Sequence, residues 1–367
     1  MAKITKIAQR SLMGAAALAA MTGSVQAQNV TIYGIVDVGV EYVSKVDGDD
    51  SVVKLQNGGI LPSIWGFRGS EDLGGGLKAV FNLEGDFGGD TGGSRGLGNI
   101  SQIFGRQANV GLSGGWGTVL MGRQYAPALL AELGTEPRGY KESFSSLLPY
   151  ALSQLPANNT GLIDAGPNGL AIFTSNMISY TGTFGPVTAR LGYGFGEVVD
   201  EMGDNSTISL GLTYSGPITV SATYQRIEGL SGTDAESKRF GLGVAVPFGD
   251  MTVKAFYSNT EDDNNALVGA LDMDLFGIGL DWKWNASNTL TVAYYMAEND
   301  EGTNDETWDL VISNDHALSK RTTLYVQLVH SDFDDGASGI TSIAADRYSG
   351  IQDESSTIFS IGLKHSF

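Results

Sequence analysis

The sequence predicts an all-β protein, a transmembrane antiparallel β-barrel of about sixteen strands. Three observations predict it: an export leader, repeated segments of alternating polarity, and connections that alternate between short and long.

The leader comes first. Lys3, Lys6 and Arg10 precede an apolar run from Leu12 to Met21, and Val25-Gln26-Ala27 fits a small-x-small cleavage rule. About ten apolar residues cross only about half of a bilayer core as a helix, so the run reads as a signal peptide and not as an anchor. Cleavage after Ala27 leaves residues 28–367 as one unit, with no linker or shift in composition to divide it. No later stretch approaches the length of a helical membrane span.

Composition removes several function classes. The chain has no cysteine, so neither a disulfide nor a thiolate metal site holds it together. Of its 22 Lys and Arg, three lie in the leader, leaving 19 against 41 Asp and Glu, a formal charge of −22. Nucleic acid is excluded as a partner at that charge. Acidic clusters at 47–50, 261–263, 298–306 and 332–335 read as solvated loops.

The strands follow from a period of two. From Thr207 to Ser215 one parity reads Ile208, Leu210, Leu212, Tyr214 and the other Thr207, Ser209, Gly211, Thr213, Ser215. From Arg239 to Phe248 the apolar set is Phe240, Leu242, Val244, Val246, Phe248, opposed by Arg239, Gly241, Gly243 and Ala245. From Met273 to Asn285 it is Phe276, Ile278, Leu280, Trp282 and Trp284, opposed by Leu275, Gly277, Gly279, Asp281 and Lys283. One face suits lipid, and the other, rich in small residues, suits a lumen. Aromatic residues near strand ends, such as Phe184, Trp282 and Phe367, fit a membrane interface.

Tight turns are expected at 72–75, 114–117, 185–186, 216–217, 249–250, 285–288 and 314–320, where Gly, Pro, Asn and Asp gather. Long connections are expected at 43–60, 88–101, 126–169, 197–204, 228–236, 260–272, 299–304 and 332–355. Alternating short turns with long loops implies an even strand number and puts both termini on the short-turn side.

At Tyr33-Gly34-Ile35-Val36-Asp37, at Trp65 through Gly74, at Gly105 through Leu112, at Met121 through Tyr125 and at Leu363 through Phe367, the chain resembles the Gram-negative general porins, with a likeness close to the neisserial and burkholderial type. The resemblance implies an outer-membrane homotrimer that passes small hydrophilic solutes and ions, whose third long loop, here 126–169, folds into the lumen and narrows it. It implies a constriction with basic wall residues, here Arg68, Arg106, Arg123 and Lys78, facing loop carboxylates, here Glu132, Glu136 and Glu142. The terminal Phe367 resembles the signal read by the barrel assembly machinery, and lipopolysaccharide is an expected neighbour. Ile64 stands where the family often has Arg, and with the net charge this gives an expected weak cation preference.

The rival readings are weaker. An enzyme needs a nucleophile and base in contact, and neighbours in His330-Ser331-Asp332 point to opposite strand faces. No cofactor or metal site is expected, although acidic loops such as Asn299-Asp300-Glu301-Gly302 have oxygen ligands of the kind Ca2+ takes. A channel selective for a sugar, phosphate or organic acid is the main alternative, and Tyr33, Tyr295 and Tyr325 on the inward parity are its only support.

Overall fold

The structure, a computed structural model, describes residues 30–46, 50–94, 102–156, 171–229, 235–301, 306–334, 340–344 and 355–367. The expected signal peptide, 1–27, and the 157–169 part of the expected long third loop lie outside these residues. The strands are β1 Thr31–Val43, β2 Val52–Asn57, β3 Ile64–Gly74, β4 Leu77–Asp86, β5 Gln107–Gly114, β6 Gly117–Tyr125, β7 Phe173–Phe184 and β8 Val187–Gly194. They continue as β9 Thr207–Ser215, β10 Thr219–Glu228, β11 Glu236–Phe248, β12 Met251–Asn265, β13 Gly269–Asn285, β14 Asn288–Asn299, β15 Glu306–Ala317, β16 Thr322–Asp334 and β17 Ser355–Ser366. Two short helices, α1 Pro127–Glu132 and α2 Leu147–Leu152, lie between β6 and β7.

Apart from β2 and β3, every sequential pair is joined antiparallel, and β1 closes the sheet onto β17 from Ile35↔Ser366 to Val43↔Ile358. Closure leaves no open edge around the seam, which is what a sheet in lipid requires. Phe367 extends the seam by exchanging backbone bonds with Gly34, and its ring covers the face of Gly34 where a Cβ would stand.

The seventeen segments fill sixteen barrel positions, because β2 and β3 share one. β2 pairs with the upper part of β1, Val38 to Val43, and β3 with the lower part, Thr31 to Ile35. The interruption at 58–63 is held by the fully buried Asp37. Its carboxylate accepts the backbone N–H of Ile60 at 2.9 Å, that of Leu61 at 2.8 Å and the Tyr325 hydroxyl at 2.7 Å. The expected loop over 43–60 therefore contains a strand.

Six of the seven turns fall where Gly, Pro, Asn and Asp predict them, with Gly75 and Gly185 at φ +62 and +60, a region open to glycine. The last turn is shifted, since β15 runs to Ala317 and turns at 318–321. The expected loop over 260–272 is corrected more strongly, because β12 and β13 stay paired from Glu261↔Asp272 to Asn265↔Gly269 and leave three residues at the tip. The acidic residues that read as a loop extend the hairpin, where water can solvate outward carboxylates without breaking the ladder.

The core lies inside the barrel. Outward positions such as Leu212, Phe240, Ile278 and Ile361 are exposed and apolar, whereas inward Ser209, Ser221, Gln225, Gln327 and Ser360 are buried. Phe144 of the long loop packs in one cluster with Phe256, Leu275, Tyr295, Val311 and Ile358 of the wall. Leu129, Tyr140 and Tyr150 form a second with Ile172, Phe173 and Ile227.

Candidate functional site

The loop after β6 begins at α1, whose Pro127 occupies a first-turn position that needs no N–H donor. α1 lies against β9 and β10, where Gly211 admits it: a Cβ there would come within 2.5 Å of the Ala131 Cβ. Small inward residues, legible as one face of each strand, are thus the seat of the helix.

Two loop carboxylates hold this seat. Glu132, fully buried, receives both terminal nitrogens of Arg239 at 2.9 and 3.1 Å and the hydroxyls of Tyr140 and Thr223. The Arg239 guanidinium also lies 4.4 Å from the Tyr150 ring centroid and 5.7 Å from that of Phe256. Burial, and then Glu132, raise the Tyr140 phenol well above its ordinary range, so it stays a donor to that carboxylate. Glu136 accepts the N–H groups of Arg138 at 2.7 Å and Tyr140 at 2.9 Å, the Ser146 hydroxyl at 3.0 Å and the Tyr295 hydroxyl at 2.7 Å. It thereby folds the loop on itself and ties it to β14.

Further along, Lys141 pairs with Asp315 of β15 at 2.7 Å, and Ser143 joins Gln56 of β2 at 2.7 Å. Burial pulls the Lys141 ammonium below its ordinary range, and Asp315 opposes that pull. The Tyr150 hydroxyl then returns to Gln225 of β10 at 3.1 Å, and Asn265 of β12 donates to the carbonyl of Leu152 at 3.0 Å. These bonds tie the described part of the loop to inward residues of β2, β10, β11, β12, β14 and β15, and the wall of β3 to β6 stands across from it.

On that facing wall stand three of the four predicted cations. Arg106, just before β5, is buried and pairs through Nε with Glu84 of β4 at 2.9 Å, while a second nitrogen bonds the Tyr125 hydroxyl. Arg123 of β6 donates to the Gly105 carbonyl at 2.5 Å and the Ser175 hydroxyl at 2.7 Å. The β6–β7 register shifts between Gly122 and Gln124, an irregularity of the kind that re-aims a side chain. Both guanidinium groups sit over the Phe173 ring, 4.9 and 5.6 Å from its centroid. Arg68 of β3 lies lower, 4.9 Å from the Tyr33 ring centroid. Lys78 is exposed at the turn end of β4, six residues from Glu84 and so about 20 Å away along the strand.

Between wall and loop is a cavity of about 280 Å3, bounded by Arg106, Asp86 and Phe173 on one side and by Glu142, Leu130, Leu133 and Leu147 on the other. Of the three predicted loop acids, only Glu142 reaches this space. Glu132 and Glu136 are spent on anchoring. The sequence reading missed Arg239 as the partner of Glu132, although it is the sole charge on an inward parity otherwise made of Ser, Gly, Ala and Pro. It also missed Asp37, whose signal was an acid on the inward face of an apolar strand. Tyr33, Tyr295 and Tyr325 do face inward, yet each bonds a different carboxylate, Glu84, Glu136 and Asp37, so they form no continuous ladder.

The model of the Gram-negative porin family matches residues 14–336. The chain belongs to the Gram-negative porin family. Outer membrane porin protein 32 of Delftia acidovorans is 30% identical, over 98% of this chain and all of the relative. Major outer membrane protein P.IB of Neisseria gonorrhoeae is 39% identical over 27% of this chain and 28% of its own. The solved anion-selective porin from Comamonas acidovorans matches with a TM-score of 0.76 at 27% identity, covering 93% of this chain and all of that one. This porin is an integral barrel of a Gram-negative outer membrane that passes small solutes passively, and family and fold point to a channel without catalysis. Ser331 is buried inward, while His330 meets Trp308 on the outer face, so the two side chains point to opposite sides of β16.

Proposed function

We propose that Arg106 and Arg123 of the wall, with Arg68 below them, face Glu142 of the loop across the narrowest part of the pore and set a transverse field there. The cavity bounded by Arg106, Asp86 and Glu142 carries this reading. Opposed charges across a narrow, partly desolvated passage orient dipolar solutes and hinder apolar ones. Lys78, near the turn end, acts on ions entering from that side and not at the constriction. Glu132 and Glu136 serve to position the loop.

Three carboxylates, Glu84, Asp86 and Glu142, stand among the three arginines, so the constriction is near balance and ion selectivity is weak. The formal charge of −22 on the mature chain tilts it toward cations. A second reading, preference for anions, is favoured by Arg123, whose two hydrogen bonds go to uncharged oxygens, and by the anion-selective relative. The reversal potential of the refolded protein in a planar bilayer under a KCl gradient decides between them. Arg123→Gln moves that potential toward cation preference if the constriction governs selectivity; an unchanged potential refutes the role given to Arg123. We further propose a homotrimer as the working assembly, lipopolysaccharide as its neighbour and the terminal Phe367 as its assembly signal, on the family resemblance.

A further inference from the structure

We infer that the constriction holds a binding subsite for zwitterionic solutes with an apolar side chain, the branched and aromatic α-amino acids. The inference rests on the pore reading above and names a solute class for that site. A passage meant only for water and small ions has no use for exposed leucines, because apolar surface facing water gains nothing until something apolar covers it. Here five leucines line one cavity: Leu61 beside the wall, and Leu129, Leu130, Leu133 and Leu147 on the loop. Leu61 and Leu133 are 36% and 40% exposed. Phe173 faces them from the other side, its ring already beneath two guanidinium groups.

The charges of the same space select the head group. Arg106, which lines the cavity, and Arg123, which stands behind the Phe173 ring, repel a cation entering alone, and Asp86 and Glu142 repel an anion entering alone, whatever else those carboxylates bond within the protein. A solute carrying one charge of each sign matches both sets at once. Its carboxylate lies toward the arginines, its ammonium toward Asp86 and Glu142, and its side chain on the leucines. The loop anchors contribute by turning Glu132 and Glu136 away from this space, so that leucine and not carboxylate faces the wall. At about 280 Å3 the cavity equals roughly nine water volumes, room for one such solute.

The test is solute block of single-channel KCl current through the refolded full mature protein, with glycine, L-leucine, L-phenylalanine, isovalerate and isoamylamine as probes. L-Leucine and L-phenylalanine reduce the current saturably, with half-blocking concentrations about tenfold or more below those of glycine and of the two singly charged compounds. Leu133→Asn and Leu130→Asn, made separately at solvent-reaching positions, each raise the L-leucine value about threefold or more and leave that of glycine in place. Equal block by glycine and L-leucine overturns the apolar subsite, and block by isovalerate as strong as by L-leucine overturns the zwitterion match. Ohmic current with no solute block refutes this inference alone, whereas folded protein without current refutes the pore reading beneath it.

Discussion

Replacing Arg239 with Met severs the loop's principal anchor and tests whether the pore's width depends on it. In the intact protein the guanidinium meets the Glu132 carboxylate through two bonds, 2.9 and 3.1 Å long, and both groups are almost wholly buried. Removing one partner of such a pair strands a buried charge, at a cost of about 3–5 kcal/mol. The backbone ladder of β11 with β10 and β12 does not involve that side chain, so the cost falls on the docking of α1 and not on the barrel. At 1.4 kcal/mol per factor of ten, docking weakens by roughly a hundredfold to several thousandfold. The expected outcome is a noisier open channel with a larger and broader conductance distribution, while the closed barrel remains intact by its heat-dependent gel migration. Adding Glu132→Gln removes the stranded charge and keeps an acceptor for Tyr140 and Thr223, so the double variant recovers much of the loss. Wild-type noise in Arg239→Met, or no recovery in the double variant, refutes the anchoring argument.

Other substitutions probe the remaining links. Gly211→Leu forces a side chain into space where even a Cβ stands 2.5 Å from the Ala131 Cβ and 2.8 Å from the Pro127 carbonyl oxygen. α1 then moves into the lumen and single-channel conductance falls; an unaltered value contradicts the seat described for the helix. Asp37→Ala leaves the Ile60 and Leu61 N–H groups and the Tyr325 hydroxyl without their acceptor, about 1–3 kcal/mol for each donor that water does not reach. The temperature at which the barrel unfolds on gels drops accordingly, and no drop shows that the β2–β3 interruption is held by other contacts. Phe367→Ala keeps the backbone pairing with Gly34 but uncovers its face, and the yield of inserted barrel in cells falls more than refolding in detergent does if the residue is also an assembly signal.

How much was legible is clearest in particular residues. The outward Ile208, Leu210 and Leu212 announce themselves by spacing alone, because a strand's two-residue period is local and lipid demands one apolar face. Gly185-Pro186 and Gly249-Asp250 announce turns because their backbone preferences are intrinsic. Residues 260–272 misled because polarity was read as loop, when a paired hairpin standing in water carries acids equally well. Arg106 and Arg123 were expected at the constriction through resemblance, not spacing, since an arginine in a channel wall has no local signature.

The sequence by itself determined the barrel class, the even strand count and which face of each strand meets lipid, all consequences of local period and composition. Only the tertiary structure decided which charges face the pore. Glu132 and Arg239 are 107 residues apart and Glu136 and Tyr295 are 159, so nothing in their local sequence shows that each carboxylate is consumed by the wall. Glu142, a few residues further along the same loop, borders the cavity instead. The difference lies in which inward side chain of a distant strand each one meets when the sheet closes, and closure is a property of the whole chain.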